Sequence, residues 1–155
     1  MKIEARIAEL GLNLPEAPKP VAAYIPAVRL GNLVYTSGQI PFVNGELKFK
    51  GKVGGELGPE EGYEAAKTCA LNCLSVIKGV LGDLDRVKRV VKVVGFVASA
   101  PGFNGQPKVV NGASELLGQI FGQAGQHARS AVGVSELPLD SAVEVEMIVE
   151  VEDKA

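Results

Sequence analysis

Two spacings of hydrophobic residues alternate along this chain and divide it into helices and strands. Near the N-terminus the apolar positions follow a 4-3-4 spacing, which predicts a short amphipathic helix over residues 2–12. These positions are Ile3, Ile7, Leu10 and Leu14. The segment NLPEAPKP comes next, and its prolines predict a stiff connector that ends the helix. Residues 1–19 are therefore expected to form a helix and a proline-rich connector ahead of the main fold.

Turn signals then predict two hairpins. VAAYIPAVRL is extended in character, Gly31-Asn32 supplies a turn, and LVYTSGQIP returns as the second strand. PFVNGELKF carries another turn at Asn44-Gly45. The glycine-rich stretch GKVGGELGP leads from there into the longest helical pattern of the chain.

The rest of the chain alternates long helices with valine-rich strands. A helix is predicted over about residues 59–82 and a second over about 108–123, with the strand VKRVVKVVGFVAS between them. Two strands follow, about 128–135 and 142–151, joined by ELPLDS. This order predicts an α+β fold, with two main helices packed on one face of a mixed sheet and an extra N-terminal helix. Because no repeat or linker divides it, residues 1–155 are expected to form a single domain.

Composition narrows the function classes. A formal net charge of −2 gives no electrostatic reason to bind nucleic acid or an anionic membrane. The longest charge-free run, residues 30–45, contains polar residues, glycine and proline and does not resemble a membrane span. MKIEARIAEL mixes both charges and lacks the apolar core of a signal peptide. These features predict a cytoplasmic protein.

The sequence gives little support for a metal site, a cofactor site or a hydrolytic triad. Cys69 and Cys73 lie four residues apart on one face of the predicted helix, which favours two small buried side chains. With His127 as the single histidine, no metal-ligand set and no Ser–His elbow are recognisable, and His127 is expected at the surface or an interface. The glycines at 51–58 and 102–105 match neither a P-loop nor a dinucleotide fingerprint, so no cofactor is expected.

A basic cluster occurs in DRVKRVVK. It could form a nucleic-acid patch, but no aromatic residue for base stacking lies nearby. The interpretation we favour is a solvated edge strand that carries lysine against aggregation. The cluster consists of Arg86, Lys88, Arg89 and Lys92.

Arg129 is the unusual charge of the C-terminal strands. By alternation it shares one side of its strand with Ala131 and Gly133, so the guanidinium has open space beside it. A planar fork in a cleft suits a carboxylate ligand. If the two last strands pair through ELPLDS, Glu144 would lie within reach of the same pocket. A solvent-facing Arg–Glu pair worth little energy remains the alternative.

LGNLVYTSGQIP (30–41) and ARSAVGVSELPLDSAVEVE (128–146) together resemble the YjgF family, also called the Rid or L-PSP endoribonuclease-like family. The resemblance covers roughly residues 20–152 and is that of a divergent subgroup. It implies a chorismate-mutase-like fold and a homotrimer with three clefts between subunits. It also implies hydrolysis of reactive enamine or imine intermediates, such as 2-aminoacrylate, to 2-keto acids and ammonia, with no cofactor or metal.

Carried over motif by motif, the resemblance implies that Arg129 binds the substrate carboxylate and that Glu144 positions or activates water. The residues implied to bind the rest of the substrate are Tyr24, Ser37, Gly38, Asn111 and Ala131. The chain departs from the family pattern at three positions: His127 replaces a proline, Ala131 a cysteine and Gly133 a glutamate. These departures change the cleft wall, and we expect substrate preference to differ there.

Two other functions compete with deamination of a small carboxylate-bearing imine. The same clefts could serve a non-catalytic trimer that binds a small carboxylate or keto acid. An endoribonuclease rests on the family's historical name, and the acidic net charge and the lack of a histidine pair argue against it.

Overall fold

In the computed structural model, residues 1–17 and 23–153 are described, so part of the predicted connector lies outside the described residues. Helix α1 spans Lys2–Glu9 and is shorter than predicted. Its stripe is nevertheless confirmed: Ile7 is buried, and Ile3, Leu10 and Leu14 pack against the core. The carboxylate of Asp85, far along the chain, accepts hydrogen bonds of 2.8 Å from the backbone N–H groups of both Lys2 and Ile3. Asp85 thus caps this helix and fastens it to the domain.

Five strands form the main sheet in the order β1-β2-β7-β5-β6. Their bounds are Ala27–Leu30 for β1, Leu33–Thr36 for β2, Val87–Ala98 for β5, Ala128–Val134 for β6 and Val143–Val151 for β7. All neighbours are antiparallel except β5 and β6, which are parallel. A small separate hairpin consists of β3 (Phe42–Val43) and β4 (Glu46–Leu47). Its turn is the predicted Asn44-Gly45, where both residues adopt positive φ.

Helices α2 (Pro59–Leu81) and α3 (Gln106–Phe121) cover one face of this sheet. Their apolar stripes meet the valines of β5 and β7, and the two predicted cysteines are buried there. The helices approach closely at Gly112, where an added Cβ would overlap the backbone carbonyl of Tyr63. Within the residues that the structure describes, no helix is long and apolar enough to cross a membrane.

The other face of the sheet carries no helix and exposes several apolar side chains, Val28, Leu30, Tyr35 and Val132 among them. The glutamates of β7 also point to this face, as their alternation with buried valines predicts.

The structure corrects the edge-strand interpretation of β5. β5 is an interior strand, between β7 and β6, although β6 pairs only with its second half from Lys92 onward. In the basic cluster at its start, Lys88 lies 3.8 Å from a Glu150 carboxylate oxygen, and Arg86 donates a hydrogen bond to the Leu81 carbonyl.

Candidate functional site

Arg129 lies near the start of β6 and points to the helix-covered face of the sheet. Its strand partner Val93 is fully buried on that face. The guanidinium reaches α3, where Nη1 donates to Asn111 Oδ1 at 2.8 Å and to Ser114 Oγ at 3.2 Å. Asn111, implied by the family resemblance, is thus a direct partner of Arg129.

Those two hydrogen bonds determine how the guanidinium can bind a ligand. Both protons of Nη1 are engaged, while Nη2 and Nε make no hydrogen bond to the residues that the structure describes. The side of the fork formed by Nε and Nη2 is therefore the side available for a bidentate carboxylate. Arg129 lines a cavity of about 330 Å³ together with Ser114, Gly118, Gly125, Gln126 and His127.

His127 is part of the same cluster. Its Nε2 lies 2.8 Å from Ser114 Oγ, and its Nδ1 lies 2.6 Å from the Gly125 carbonyl oxygen. The side chain is partly buried rather than lying free on the surface. Alternation could have predicted this position, since His127 and Arg129 are two residues apart on an extended segment. The position of Ser114 could also have been predicted, because it lies three residues after Asn111 on one face of the helix.

Glu144 lies in a second and larger cavity of about 930 Å³, beside Tyr24 and Gly38. Its side chain packs directly over Gly38, and a Cβ at that position would overlap the Glu144 carboxylate. Glycine at 38 thus makes room for the carboxylate. Partial burial, and secondarily the negative charge of Glu146, raise the pKa of Glu144 above its usual value. A raised pKa makes the Glu144 carboxyl hold a proton more readily than an ordinary glutamate, which suits a role in proton transfer.

Ser37 is not one of the residues that line this cavity, but its hydrogen bonds support the wall. Its hydroxyl donates to the Ile25 carbonyl at 2.8 Å, and its backbone N–H donates to the Pro26 carbonyl at 2.7 Å. These bonds fasten the segment after Tyr24 to the end of β2. Tyr24 itself is largely exposed and lines the cavity.

The loop between β6 and β7 forms another part of the wall that sequence reasoning missed. Pro138 and Leu139 line the cavity, and Leu139 and Asp140 both adopt left-handed backbone angles, with φ of 58° and 63°. Such angles are unfavourable for residues other than glycine. Lys52 fastens the start of this loop through an ion pair with Glu136 at 2.6 Å and a hydrogen bond to the Ser135 carbonyl.

Within one chain, Arg129 and Glu144 do not share a pocket. The expected pairing of their strands is wrong, because β5 lies between β6 and β7. The register places Val93 opposite Arg129 and Phe96 opposite Glu144, so the two are two strands apart and three residues out of step. They also point to opposite faces of the sheet, since Val93 faces the helices and Phe96 does not. The structure therefore describes two half-sites.

Ala131 follows Arg129 on the same side of β6 and packs, partly buried, against the core. Among the described residues no group of three or more His, Cys, Asp or Glu side chains could hold a metal ion.

Comparison with known proteins places this arrangement in a wider group. The family model described as YjgF/chorismate mutase-like, which also names endoribonuclease as a candidate activity, matches residues 4–151. Protein TCP17 of Trypanosoma cruzi is 45% identical over 150 residues, which cover 96% of this chain and 94% of TCP17. The 2-iminobutanoate/2-iminopropanoate deaminase of Dermatophagoides farinae is 33% identical over 141 residues, or 91% of this chain and 95% of the mite protein.

A solved structure matches equally well. The Agrobacterium tumefaciens protein Atu1372, whose function is unknown, superposes with a TM-score of 0.92 at 44% sequence identity, covering 97% of this chain and 93% of that chain. The mixed sheet with helices on one face is thus shared along nearly the whole length. With the family model matched from α1 to the end of β7, this chain belongs to the YjgF/chorismate-mutase-like family and has its α+β fold.

Proposed function

We propose that this protein is a hydrolytic deaminase of small carboxylate-bearing imines, and that it acts as a homotrimer. The observation that carries the proposal is the division of the site into two halves on opposite faces of one sheet. A carboxylate fork at Arg129 and a proton-exchanging carboxyl at Glu144 can act on one small substrate only if they come from different chains. Each cleft would then combine Arg129 of one subunit with Glu144 of its neighbour.

The uncovered face of the sheet supports assembly from copies of this chain. Apolar side chains are exposed over β1, β2 and β6, and Glu144 borders this surface. Exposed apolar area of this kind is typical of protein interfaces. A cyclic trimer uses two different patches of each subunit, which suits a chain with two different half-sites.

Imine hydrolysis requires few catalytic groups. Arg129 holds the substrate carboxylate through Nε and Nη2. In its neutral form, Glu144 protonates the imine nitrogen. As a carboxylate it then takes a proton from the water that attacks the imine carbon. Glu144 then returns this proton to the amino nitrogen of the carbinolamine. The C–N bond breaks as ammonia leaves, and the hydroxyl group gives its proton back to the Glu144 carboxylate as the carbonyl of the 2-keto acid forms. The cleft accelerates these steps by holding water and imine together.

The identity with the 2-iminobutanoate/2-iminopropanoate deaminase of Dermatophagoides farinae supports the substrate class. The names of TCP17 and Atu1372 indicate no reaction. The experiment must therefore distinguish turnover from binding.

A coupled assay makes this distinction. A pyridoxal-phosphate-dependent dehydratase generates 2-aminoacrylate from serine, and lactate dehydrogenase reports the pyruvate that forms. The wild-type protein should accelerate pyruvate formation beyond the uncatalysed hydrolysis, and Arg129→Ala should not. If wild type leaves the rate unchanged, deamination of this substrate is contradicted. Thermal stabilisation by 2-oxobutanoate without turnover, lost in Arg129→Ala, would indicate the binding alternative; about 2.7 kcal/mol is expected at a hundredfold excess over Kd.

A further inference from the structure

The guanidinium of Arg129 stands at the end of a continuous line of hydrogen bonds. Arg129 Nη1 donates to Ser114 Oγ at 3.2 Å, and the same Ser114 Oγ lies 2.8 Å from His127 Nε2. His127 Nδ1 in turn lies 2.6 Å from the Gly125 carbonyl oxygen. The line joins three elements: strand β6, helix α3 and the turn that follows α3. Gly125, at its far end, is buried where an added Cβ would overlap the Leu117 carbonyl, so the acceptor is fixed by backbone packing.

The direction of each hydrogen bond follows from the fixed end. A backbone carbonyl only accepts, so Nδ1 of His127 must carry a proton. In the neutral ring Nε2 is then an acceptor, and the Ser114 hydroxyl donates to it. That donation turns the lone pairs of Ser114 Oγ towards Arg129, whose guanidinium only donates. Every donor in the line therefore meets an acceptor, and the neutral Nδ1–H tautomer of His127 is the form that completes it.

We propose that His127 is a positioning residue for Arg129 and acts through Ser114. Asn111 Oδ1 alone would hold one proton of Nη1 and leave the guanidinium plane free to rotate. The second acceptor, Ser114 Oγ, fixes that plane and leaves Nε and Nη2 for a ligand in the cavity that Arg129 lines. The inference rests on the proposed function in one respect, namely that the ligand of this fork is the substrate carboxylate.

Substitutions at position 127 should differ in effect according to whether the new side chain can accept a hydrogen bond from the Ser114 hydroxyl. Glutamine can accept from the Ser114 hydroxyl through its amide oxygen and donate to the Gly125 carbonyl through its amide nitrogen. Phenylalanine fills a similar volume but offers no acceptor. His127→Gln should therefore preserve the function of Arg129, whereas His127→Phe and Ser114→Ala should impair it.

Steady-state deamination kinetics test this difference. His127→Phe and Ser114→Ala should each raise KM about 5- to 10-fold, the worth of one hydrogen bond to a charged group, and change kcat less than about twofold. His127→Gln should stay within about twofold of wild type in both constants. Gln119→Ala, an exposed position on the same helix, is the matched control and should change neither. If His127→Gln and His127→Phe change kcat and KM to the same extent, the proposal is overturned.

A second measurement keeps the proposal testable if the protein proves not to be a deaminase. The chain has a single histidine, so ¹⁵N-labelled protein without a histidine tag gives one imidazole signal. The signal should report the Nδ1–H tautomer at neutral pH and should shift in Ser114→Ala. The Arg129 Nε–H resonance should broaden in both Ser114→Ala and His127→Phe but not in Gln119→Ala. An Nε2–H tautomer, or an Arg129 signal that does not broaden in Ser114→Ala and His127→Phe, would contradict the positioning role. Covalent labelling of Ser114 by a fluorophosphonate would make Ser114 a nucleophile and would also contradict it.

Discussion

Arg129 and Glu144 lie on opposite faces of one sheet, with strand β5 between their strands. Neighbouring strands are about 4.8 Å apart and residues about 3.3 Å apart along a strand, so the two backbones are separated by roughly 10 Å in each direction. The sheet itself blocks any direct approach of the two side chains. A site that needs both residues must therefore be built by two chains.

Replacing Arg129 by lysine tests the fork rather than the charge. Lysine keeps the positive charge but offers a single ammonium in place of the Nε and Nη2 pair, and it cannot satisfy Asn111 and a ligand in the same way. We expect Arg129→Lys to weaken carboxylate binding about tenfold or more, measured as KM in deamination or as Kd for 2-oxobutanoate. Arg89→Lys, an exposed position on β5, should leave both constants unchanged. A lysine variant as tight as wild type would mean that charge alone suffices.

Replacing Gly38 by alanine tests the packing of Glu144. The new Cβ would occupy the space of the Glu144 carboxylate and force that side chain into another rotamer. Activity should fall by about tenfold or more, as expected when a reacting group moves by about 1 Å, while the fold is kept. Gly55→Ala is a suitable control, because a Cβ at that position meets its nearest atom at 3.4 Å. Full activity in Gly38→Ala would show that Glu144 does not need this position.

Much of this fold follows from the pattern of the sequence. The alternation of valine and glutamate predicts β7, the Asn44-Gly45 pair predicts its hairpin turn, and the helical stripes predict α2 and α3. Strand order does not follow from the short ELPLDS connection, which suggested that β6 and β7 pair. The β5–α3–β6 order is the better guide, since a helix between two strands favours a parallel pair.

The two half-sites show the same limit of sequence reasoning. Arg129 is the one charged residue of its strand. Asn111 and Ser114 share one helix face, so this half of the site is predictable from local spacing. Glu144 is a regular member of an alternating series, and nothing local distinguishes it from Glu146 or Glu150. Its position over Gly38 depends on the pairing of distant segments, which one sequence does not specify.

Replacing Gly112 by alanine tests the contact between α2 and α3. The added methyl group would collide with the Tyr63 backbone carbonyl, which cannot move without shifting the helix. We expect a loss of about 1–3 kcal/mol in the free energy of unfolding, although alanine favours the helix itself. Urea denaturation measures the loss, and Gln119→Ala on the exposed side of the helix should stay within about 0.5 kcal/mol of wild type. A stabilised Gly112→Ala variant would contradict the close approach.

The cap of α1 by Asp85 predicts a dependence of stability on pH. Hydrogen bonding to the Met1 amino group, and then to the backbone N–H groups of Ile3 and Lys2, lowers the pKa of Asp85 from 3.8 to about 2. Because the folded value is the lower one, the stabilising contribution is present above pH 3.8 and is lost as the pH falls towards about 2.

Comparing wild type with Asp85→Ala should reveal this window. The variant should be less stable at neutral pH, and the gap in urea midpoint should close between pH 4 and pH 2, roughly the interval between the two pKa values. Glu46→Ala, an exposed acidic residue on the small hairpin, should give no such gap. A gap that stays constant across this range would mean that Asp85 acts through packing instead of its charge.

The most direct test of the two-chain site is complementation between inactive variants. Arg129→Ala and Glu144→Gln should each abolish deamination alone. When the two are unfolded together and refolded at equal concentrations, random assembly into a cyclic trimer gives intact Arg129 and Glu144 at about a quarter of the clefts. About a quarter of wild-type activity should return in the mixture. No recovery, in mixed trimers verified by mass spectrometry, would contradict a site shared between subunits.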